Sequence, residues 1–154
     1  MYFTGTGTGK VTYQINDESA VNAKQCSVVV LEDDCVSTLV LQVVFQDVTH
    51  GNVQVGITET SYSPATTQYQ DIASLTILFQ TCTPQGGWAS EAGSTVELFV
   101  TRQTTNEGFT YSGTFSAEDL VWVGSGTQNS LTIKLSSFSF PATSSSEAID
   151  RGSF

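Results

Sequence analysis

Apolar and polar residues alternate along most of this chain with the period of two that a half-buried β-strand requires, most clearly between residues 94 and 115. The polar run 103–108 divides this stretch, and Gly108 can adopt the positive φ that a turn needs. The pattern therefore predicts an antiparallel hairpin whose alternate side chains contribute to a core. The core-facing residues of the two halves are Val96, Leu98, Val100, Phe109, Tyr111 and Phe115.

Similar alternation recurs at hairpin spacing, and no segment has the length and period of a stable helix. A set of eight to ten short strands predicts an all-β protein, either an antiparallel β-sandwich or an open barrel. The sandwich is preferred because neither internal repeats nor a uniform up-and-down spacing is present. The other predicted strands cover residues 2–16, 25–31, 35–45, 53–57, 72–81, 121–123 and 131–140.

A length of 154 residues fits one domain with one core. We expect residues 1–141 to form this domain, with Pro141 ending the last strand, and residues 142–154 to form a C-terminal tail. Threonine alternates with glycine over residues 4–9, and glycine leaves the register of a strand weakly specified. The first strand is therefore expected at the edge of a sheet or against a neighbouring chain.

Charged residues make up only 13% of the chain, against about 25% in a typical protein, and the formal net charge is −10. This charge opposes binding to nucleic acid and to an anionic membrane surface. No apolar run reaches the length of a membrane span, and the first ten residues lack the features of a signal peptide. A surface whose polar groups are mainly hydroxyls indicates an extracellular or cell-surface protein. We expect that it is either exported without a signal peptide of the usual kind or that its signal peptide has been removed.

Three cysteines, Cys26, Cys35 and Cys82, allow one disulfide with a thiol left over, or three small buried side chains. A regular hairpin would place Cys26 opposite Val40, which separates the Cα atoms of Cys26 and Cys35 by more than the roughly 7 Å that a disulfide spans. Pairing of Cys82 with either of the others is therefore the better alternative. No Cys/His spacing typical of zinc sites is present.

The chain offers few groups for catalysis. Its one histidine, His50, lies in a predicted turn and is interpreted as a solvated residue. The segment GTGTGK at residues 5–10 departs from the phosphate-loop pattern, and no helix follows it. A glycosidase would need two carboxylates facing each other across a cleft, and this enzyme class ranks third, after the two non-enzymatic hypotheses given below. We therefore expect a protein that is not an enzyme and needs no cofactor.

Acidic residues crowd the turn predicted at Glu32, Asp33 and Asp34. Carboxylates on one turn can bind Ca²⁺ when backbone carbonyls complete the six to eight oxygen ligands that this ion takes. A solvated acidic turn is the simpler interpretation, with a calcium ion at Asp33 and Asp34 as the alternative.

Three aromatic residues in predicted loops are candidate ligand contacts. Trp88 follows two glycines in a loop over residues 82–93, and Tyr62 and Tyr69 lie in a loop over residues 60–70. An exposed indole or phenol can stack on a sugar or on a partner protein, whereas a loop that folds back would bury it. Trp122, between two valines, is expected in the core.

The segments YSGTFSAEDL at residues 111–120 and LTIKLSSFSF at residues 131–140 carry a resemblance to a known group of domains. Together they resemble the C-terminal third of small Bacteroidetes-type surface lipoprotein domains, in which a GTF strand and a terminal strand close a β-sandwich. Ser136 and Ser137 replace the usual glycine before the last phenylalanine, and no lipobox cysteine is present. The resemblance implies a β-module on an outer surface, with no catalytic residues to carry over.

These observations favour a non-enzymatic extracellular or surface module that recognises a protein or a carbohydrate, with Trp88 and the loop 60–70 as its contact region. The second hypothesis is a structural subunit of a filament or virion. In that case the N-terminal strand or the C-terminal tail would complete the sheet of a second copy of the chain. Self-association is therefore the alternative to a distinct partner.

Overall fold

The computed structural model describes residues 2–33, 36–70, 72, 74–79, 86–106, 108–124 and 126–143. Within these ranges the chain forms twelve β-strands and no helix. The alternation of apolar and polar side chains accounts for this, because it gives each long strand one buried face. The strands are β1 Tyr2–Thr8, β2 Lys10–Ile15, β3 Val21–Asn22, β4 Lys24–Asp33, β5 Thr38–Asp47, β6 Gly51–Glu59, β7 Gln68–Gln70, β8 Ser74–Phe79, β9 Gly86–Ala89, β10 Thr95–Thr105, β11 Gly108–Gly124 and β12 Leu131–Thr143.

All the strand pairs are antiparallel and follow the order β1-β4-β5-β6-β8-β9-β11-β12-β2-β3, while β10 pairs with β11 and β7. The sheet is nearly closed and barrel-like, with one unsealed seam. The predicted all-β, antiparallel class is confirmed. The architecture is closer to the open barrel than to the preferred sandwich, because continuous strands pass from one layer to the other.

Strand β11 makes one of these connections. Its first eleven residues pair with β10, and its last four pair with β9. A bulge between Ala117 and Leu120 separates the two halves, and Asp119 there has a φ of 59°. Bulges bend and twist a strand, so residues 116–120, which separate two predicted strands, form a bend within one long strand.

The second connection is the run β1–β2. Strand β1 pairs with β4 in one layer, β2 pairs with β12 in the other, and the buried Gly9 lies between them. A Cβ atom at Gly9 would collide with the ring of Phe140 and crowd Val28. Only glycine therefore lets the chain cross between the layers here. The predicted strand 2–16 is therefore two strands, and the predicted edge position is confirmed for β1 alone, since β1 begins the strand order while β2 lies between β12 and β3.

The hairpin predicted from residues 94–115 is confirmed. Leu98 lies opposite Phe115, and Arg102 lies opposite Tyr111. The core-facing residues are buried, except that Phe109 is only partly so. The same alternation along β4, β5 and β6 supplies most of the other wall of the core.

The observed strands differ from the predicted ones at the C-terminal end and within the predicted loops. Pro141 does not end the last strand, because β12 continues to Thr143 with Ala142 buried. Beyond Ser139, β12 has no registered partner in β2, and proline is tolerated at such an edge because its missing N–H is not needed there. The predicted loops also contain the short strands β3, β7 and β9. Of the predicted C-terminal tail, residues 144–154 lie outside the described ranges.

Candidate functional site

Polar side chains gather at two opposite ends of the wall formed by β4, β5 and β6. At one end Glu32 lies opposite Leu39, and Leu39 lies opposite Glu59. At the other end Asp47 lies opposite Gly51 in the hairpin between β5 and β6. Because a strand rises about 3.3 Å per residue, the two ends are about 26 Å apart along β5.

The first end, the Glu32 cluster, comprises Glu32, Glu59, Tyr62, Tyr69, Arg102 and Tyr111. The carboxylate of Glu32 is fully buried and accepts hydrogen bonds from the hydroxyls of Tyr111 and Tyr62 and from the guanidinium of Arg102. Arg102 also lies 4.0 Å from the ring centroid of Phe109, in a cation–π contact. These groups join β4 to β10 and β11 across the interior, so the cluster ties the two layers together.

Burial, followed by the hydrogen bond and the charge of Glu32, raises the pKa of Tyr111 far above its ordinary value. Burial and the nearby Glu32 raise the pKa of Tyr62 in the same direction. Both phenols therefore remain protonated donors at any physiological pH. A carboxylate with three donors around it, closed off from solvent, is suited to holding the fold rather than to binding a ligand.

Tyr62 and Tyr69, predicted as ligand contacts, are only 4% and 6% exposed. The hydroxyl of Tyr69 lies 2.7 Å from the carbonyl oxygens of Ser63 and Thr66, which share its single proton, and it accepts the N–H of Ser63 at 3.0 Å. The predicted exposure of these rings in a surface loop is wrong, because both side chains are buried and their hydroxyls bond within the protein. The predicted solvated position of Glu32 in a turn is also wrong. Strand β4 continues through Glu32 to Asp33, and the Glu32 side chain points into the interior.

Trp88 is the other predicted contact that the structure buries. It lies in β9 and is 5% exposed, with Phe79 and Trp122 each at a ring-centroid distance of 4.9 Å. Its indole Nε1 donates to the carbonyl of Asn129 at 2.9 Å. The prediction of an exposed indole is wrong because the two preceding glycines let the chain pack closely as strand β9, with Gly87 against β8 and Gly86 against β11, rather than form a loose loop. Trp88 and the two tyrosines are not brought together into one surface.

The metal and disulfide predictions fall partly outside the described ranges. Asp33 ends β4, and Asp34 lies outside those ranges. Cys26 is buried and free, while Cys35 and Cys82 lie outside. Burial raises the pKa of the Cys26 thiol, although a hydrogen bond with the backbone of Gly9 opposes this. Cys26 is therefore a buried free thiol whose ionised form is disfavoured.

The second end contains a cleft of about 360 Å³ between the segment that follows β2 and the β5–β6 hairpin. Its walls combine apolar groups with carboxylate, amide, hydroxyl and ammonium groups, the mixed chemistry expected of a recognition site. We call it the Asp47 cleft. It is lined by Tyr13, Ile15, Glu18, Ser19, Val21, Asn22, Lys24, Gln46, Asp47, Val48 and Thr49.

Asp47 is held in place within the cleft. One of its oxygens accepts the hydroxyl of Tyr13, and the other accepts the backbone N–H groups of Thr49 and His50 at 3.1 and 3.0 Å. Burial alone would raise the pKa of Asp47, but these hydrogen bonds, aided by the nearby imidazole of His50, outweigh it and lower the pKa. The carboxylate is therefore ionised at neutral pH and fixed in orientation.

His50 connects the hairpin to the opposite wall of the cleft. Its Nε2 lies 3.3 Å from Oε2 of Glu18, and its ring packs on Phe79 at a centroid distance of 4.5 Å. His50 lies in a turn, as predicted, but its ring is only partly exposed because it is held between these two contacts. The sequence contains no spacing that links Glu18 to Asp47 and His50, since the fold alone brings these segments together.

No family model, curated protein or solved structure matches this chain. Within the part of the chain that the structure describes, no helix has the length and apolar character needed to cross a membrane.

Proposed function

We propose that this protein is a non-enzymatic recognition module of the extracellular space or a cell surface, and that the Asp47 cleft binds an extended segment of a partner protein. The observation that carries the proposal is the position of the cleft beside strand β3. Val21 and Asn22 of β3 line the cleft, and β3 ends the strand order, paired with β2 alone in the described part of the sheet.

An unpaired edge supports binding of an extended peptide because its backbone N–H and C=O groups can continue the sheet. Side chains beside that edge then select the peptide. In the Asp47 cleft, Ile15, Val21 and Val48 offer apolar contacts, while Asn22 and Gln46 offer amide hydrogen bonds. This combination provides affinity through the backbone and specificity through alternate side chains.

A peptide fits the Asp47 cleft better than a carbohydrate does. Sugar sites generally present the face of an aromatic ring, whereas the one aromatic residue that lines this cleft, Tyr13, is buried and donates its hydroxyl to Asp47. The net charge of −10 adds long-range attraction for a basic partner. The preferred ligand is therefore an extended, basic polypeptide segment.

The test is selection of binding peptides from a random library, followed by affinity measurements with two matched variants. Val21→Arg places a long charged side chain at the β3 edge, where Val21 is 44% exposed. Val123→Arg makes the same change at a valine of β11 that is 53% exposed and does not line the cleft. We expect Val21→Arg to weaken the selected peptides by roughly tenfold or more, which is about 1.4 kcal/mol, and Val123→Arg to leave affinity unchanged.

Equal effects of the two substitutions on affinity would contradict the proposal. It would also be contradicted if the selected peptides shifted backbone amide NMR signals only of residues outside the cleft. Binding of glycans but not peptides at the cleft would support the cleft as the recognition site and would contradict a peptide as its ligand. Turnover of a bound ligand, abolished by Asp47→Asn, would contradict the non-enzymatic part of the proposal.

A specific observation also favours the second candidate, a subunit assembled by strand exchange. All seven residues of β1 pair with β4, and the chain then crosses to the other layer at the single residue Gly9. A strand attached through one glycine can pair equally well with β4 of a second copy, as in domain swapping. Light scattering across a range of concentrations would support this candidate by showing discrete oligomers, and a monomer at every concentration would contradict it.

A further inference from the structure

We propose that Glu18, Asp47 and His50 form a zinc-binding site at the rim of the Asp47 cleft. The three residues come from two segments that the fold brings together, the turn after β2 and the β5–β6 hairpin. One potential ligand atom from each lies within 4.8 Å of the other two. Among the described residues this is the group of carboxylate and imidazole side chains that is close enough to share one ion.

The spacing of Glu18 and His50 matches zinc. Zinc bonds of about 2.0–2.1 Å at tetrahedral angles place neighbouring ligand atoms about 3.3 Å apart. The Nε2 of His50 and Oε2 of Glu18 are 3.3 Å apart. These two atoms are therefore already at the spacing of adjacent corners of a tetrahedron. The ligand atom of Asp47 lies within 4.8 Å of both, and the exposed Glu18 and the ring of His50 can close on the fixed Asp47 to complete the third corner.

The surroundings hold two of the ligands in position. Tyr13 and two backbone N–H groups fix the carboxylate of Asp47, in the way that groups around a metal commonly orient its ligands. Phe79 supports the imidazole of His50. Glu18 is the exposed member, on a turn that can adjust to the ion.

The donor set selects the class of cation. Calcium and magnesium take oxygen ligands, whereas zinc accepts one imidazole nitrogen together with carboxylate oxygens. Three protein ligands leave a fourth position, and Glu18 and Asp47 both line the cleft. A water molecule in the cleft, or a donor atom of a bound molecule, can occupy this fourth coordination position of the zinc ion. The zinc ligands lie outside strand β3, so variants of β3 and variants of the ligands can distinguish loss of peptide binding from loss of zinc binding.

The test uses the full chain, Zn²⁺ as the only added probe, and a buffer that does not bind metal. We expect calorimetry to show one ion per chain, and proton NMR to show that Zn²⁺ shifts the ring signals of the one histidine. Asp47→Asn, Glu18→Gln and His50→Gln should each weaken binding by roughly tenfold or more. Glu91→Gln, which removes a distant exposed carboxylate, is the charge-matched control and should change nothing.

Ring signals of His50 that do not move at saturating Zn²⁺ would overturn the proposal even without any variant. Equal weakening by Glu91→Gln would also overturn it, because binding would then reflect general negative charge. Co²⁺ is a second probe: an intense sulfur-to-cobalt absorption band would assign the ion to a cysteine instead. Peptide binding that persists when zinc binding is abolished would separate this site from the proposed recognition function.

Discussion

The two ends of the barrel-like sheet use similar groups in opposite ways. At the Glu32 cluster a fully buried carboxylate accepts hydrogen bonds from two buried tyrosines and from a partly exposed arginine. At the Asp47 cleft a carboxylate and a tyrosine also pair, but a cleft of about 360 Å³ lies beside them. A group of polar residues is a candidate binding site only where the fold leaves an open cleft beside it. Where no cleft is present, as at the Glu32 cluster, the polar residues hold the two layers together.

The largest expected effect is loss of the ion pair in the Glu32 cluster. Arg102→Met leaves the buried carboxylate of Glu32 without its cation, so the free energy of unfolding should fall by about 3 kcal/mol, as measured by urea titration. Adding Glu32→Gln should recover part of this loss, because a neutral amide still accepts from the tyrosines. Lys10→Met, at an exposed lysine, is the control and should change stability by less than about 0.5 kcal/mol. A similarly small change for Arg102→Met would mean that the cluster does not hold the layers together.

Removing one hydroxyl at each end compares the two regions directly. Tyr111→Phe takes a hydrogen bond from a fully buried carboxylate and should cost about 2 kcal/mol of unfolding free energy. Tyr13→Phe should cost about 1 kcal/mol, because Asp47 keeps two backbone donors and borders an open cleft. Thermal and urea unfolding of both variants measure the difference. The reverse order would contradict the contrast between a sealed end and an open one.

The pH dependence of stability sharpens the comparison at the Asp47 cleft. The folded pKa of Asp47 lies below its unfolded value of about 3.9, so this group stabilises the fold above that pH. Its contribution is lost as the pH falls through the folded pKa. The stability difference between the wild type and Asp47→Asn should therefore shrink below about pH 4. Urea titrations from neutral to acidic pH test this, and a difference that stays constant with pH would argue against the hydrogen bonds assigned to Asp47.

The smallest effect concerns Cys26, which lies on β4 between the two ends. A buried thiol with a raised pKa should react with an alkylating reagent much more slowly in the native protein than in urea. Peptide mapping by mass spectrometry follows this residue separately from Cys35 and Cys82. Rapid native labelling of Cys26 would show that the region between the two ends opens more readily than its burial implies.

The sequence predicted the fold better than the site. Alternation between residues 94 and 115 reports directly on which side of a strand is buried, so the β10–β11 hairpin and its core residues followed from it. It did not show that β11 continues through a bulge at Asp119, because local turn residues also occur in bulges. The closure of two layers into a barrel-like sheet depends on such connections.

The candidate site was missed for a physical reason. Aromatic residues in apparent loops can contact ligands, which makes Trp88, Tyr62 and Tyr69 the candidates that the sequence offers. In the structure, short strands and interior hydrogen bonds bury all three side chains. Glu18 and His50 are 32 residues apart, and no local pattern shows that they meet. Charged residues distant in sequence are brought together by strand order, which the alternation of apolar residues does not specify.

The most direct test of the contrast between the two ends is a crystallographic fragment screen of the full chain. The account predicts that bound fragments concentrate in the Asp47 cleft, against Val21, Asn22 and Gln46, and that none enters the Glu32 cluster. Fragments that displace Tyr62 or Tyr69 and reach Glu32, with the Asp47 cleft unoccupied, would contradict it.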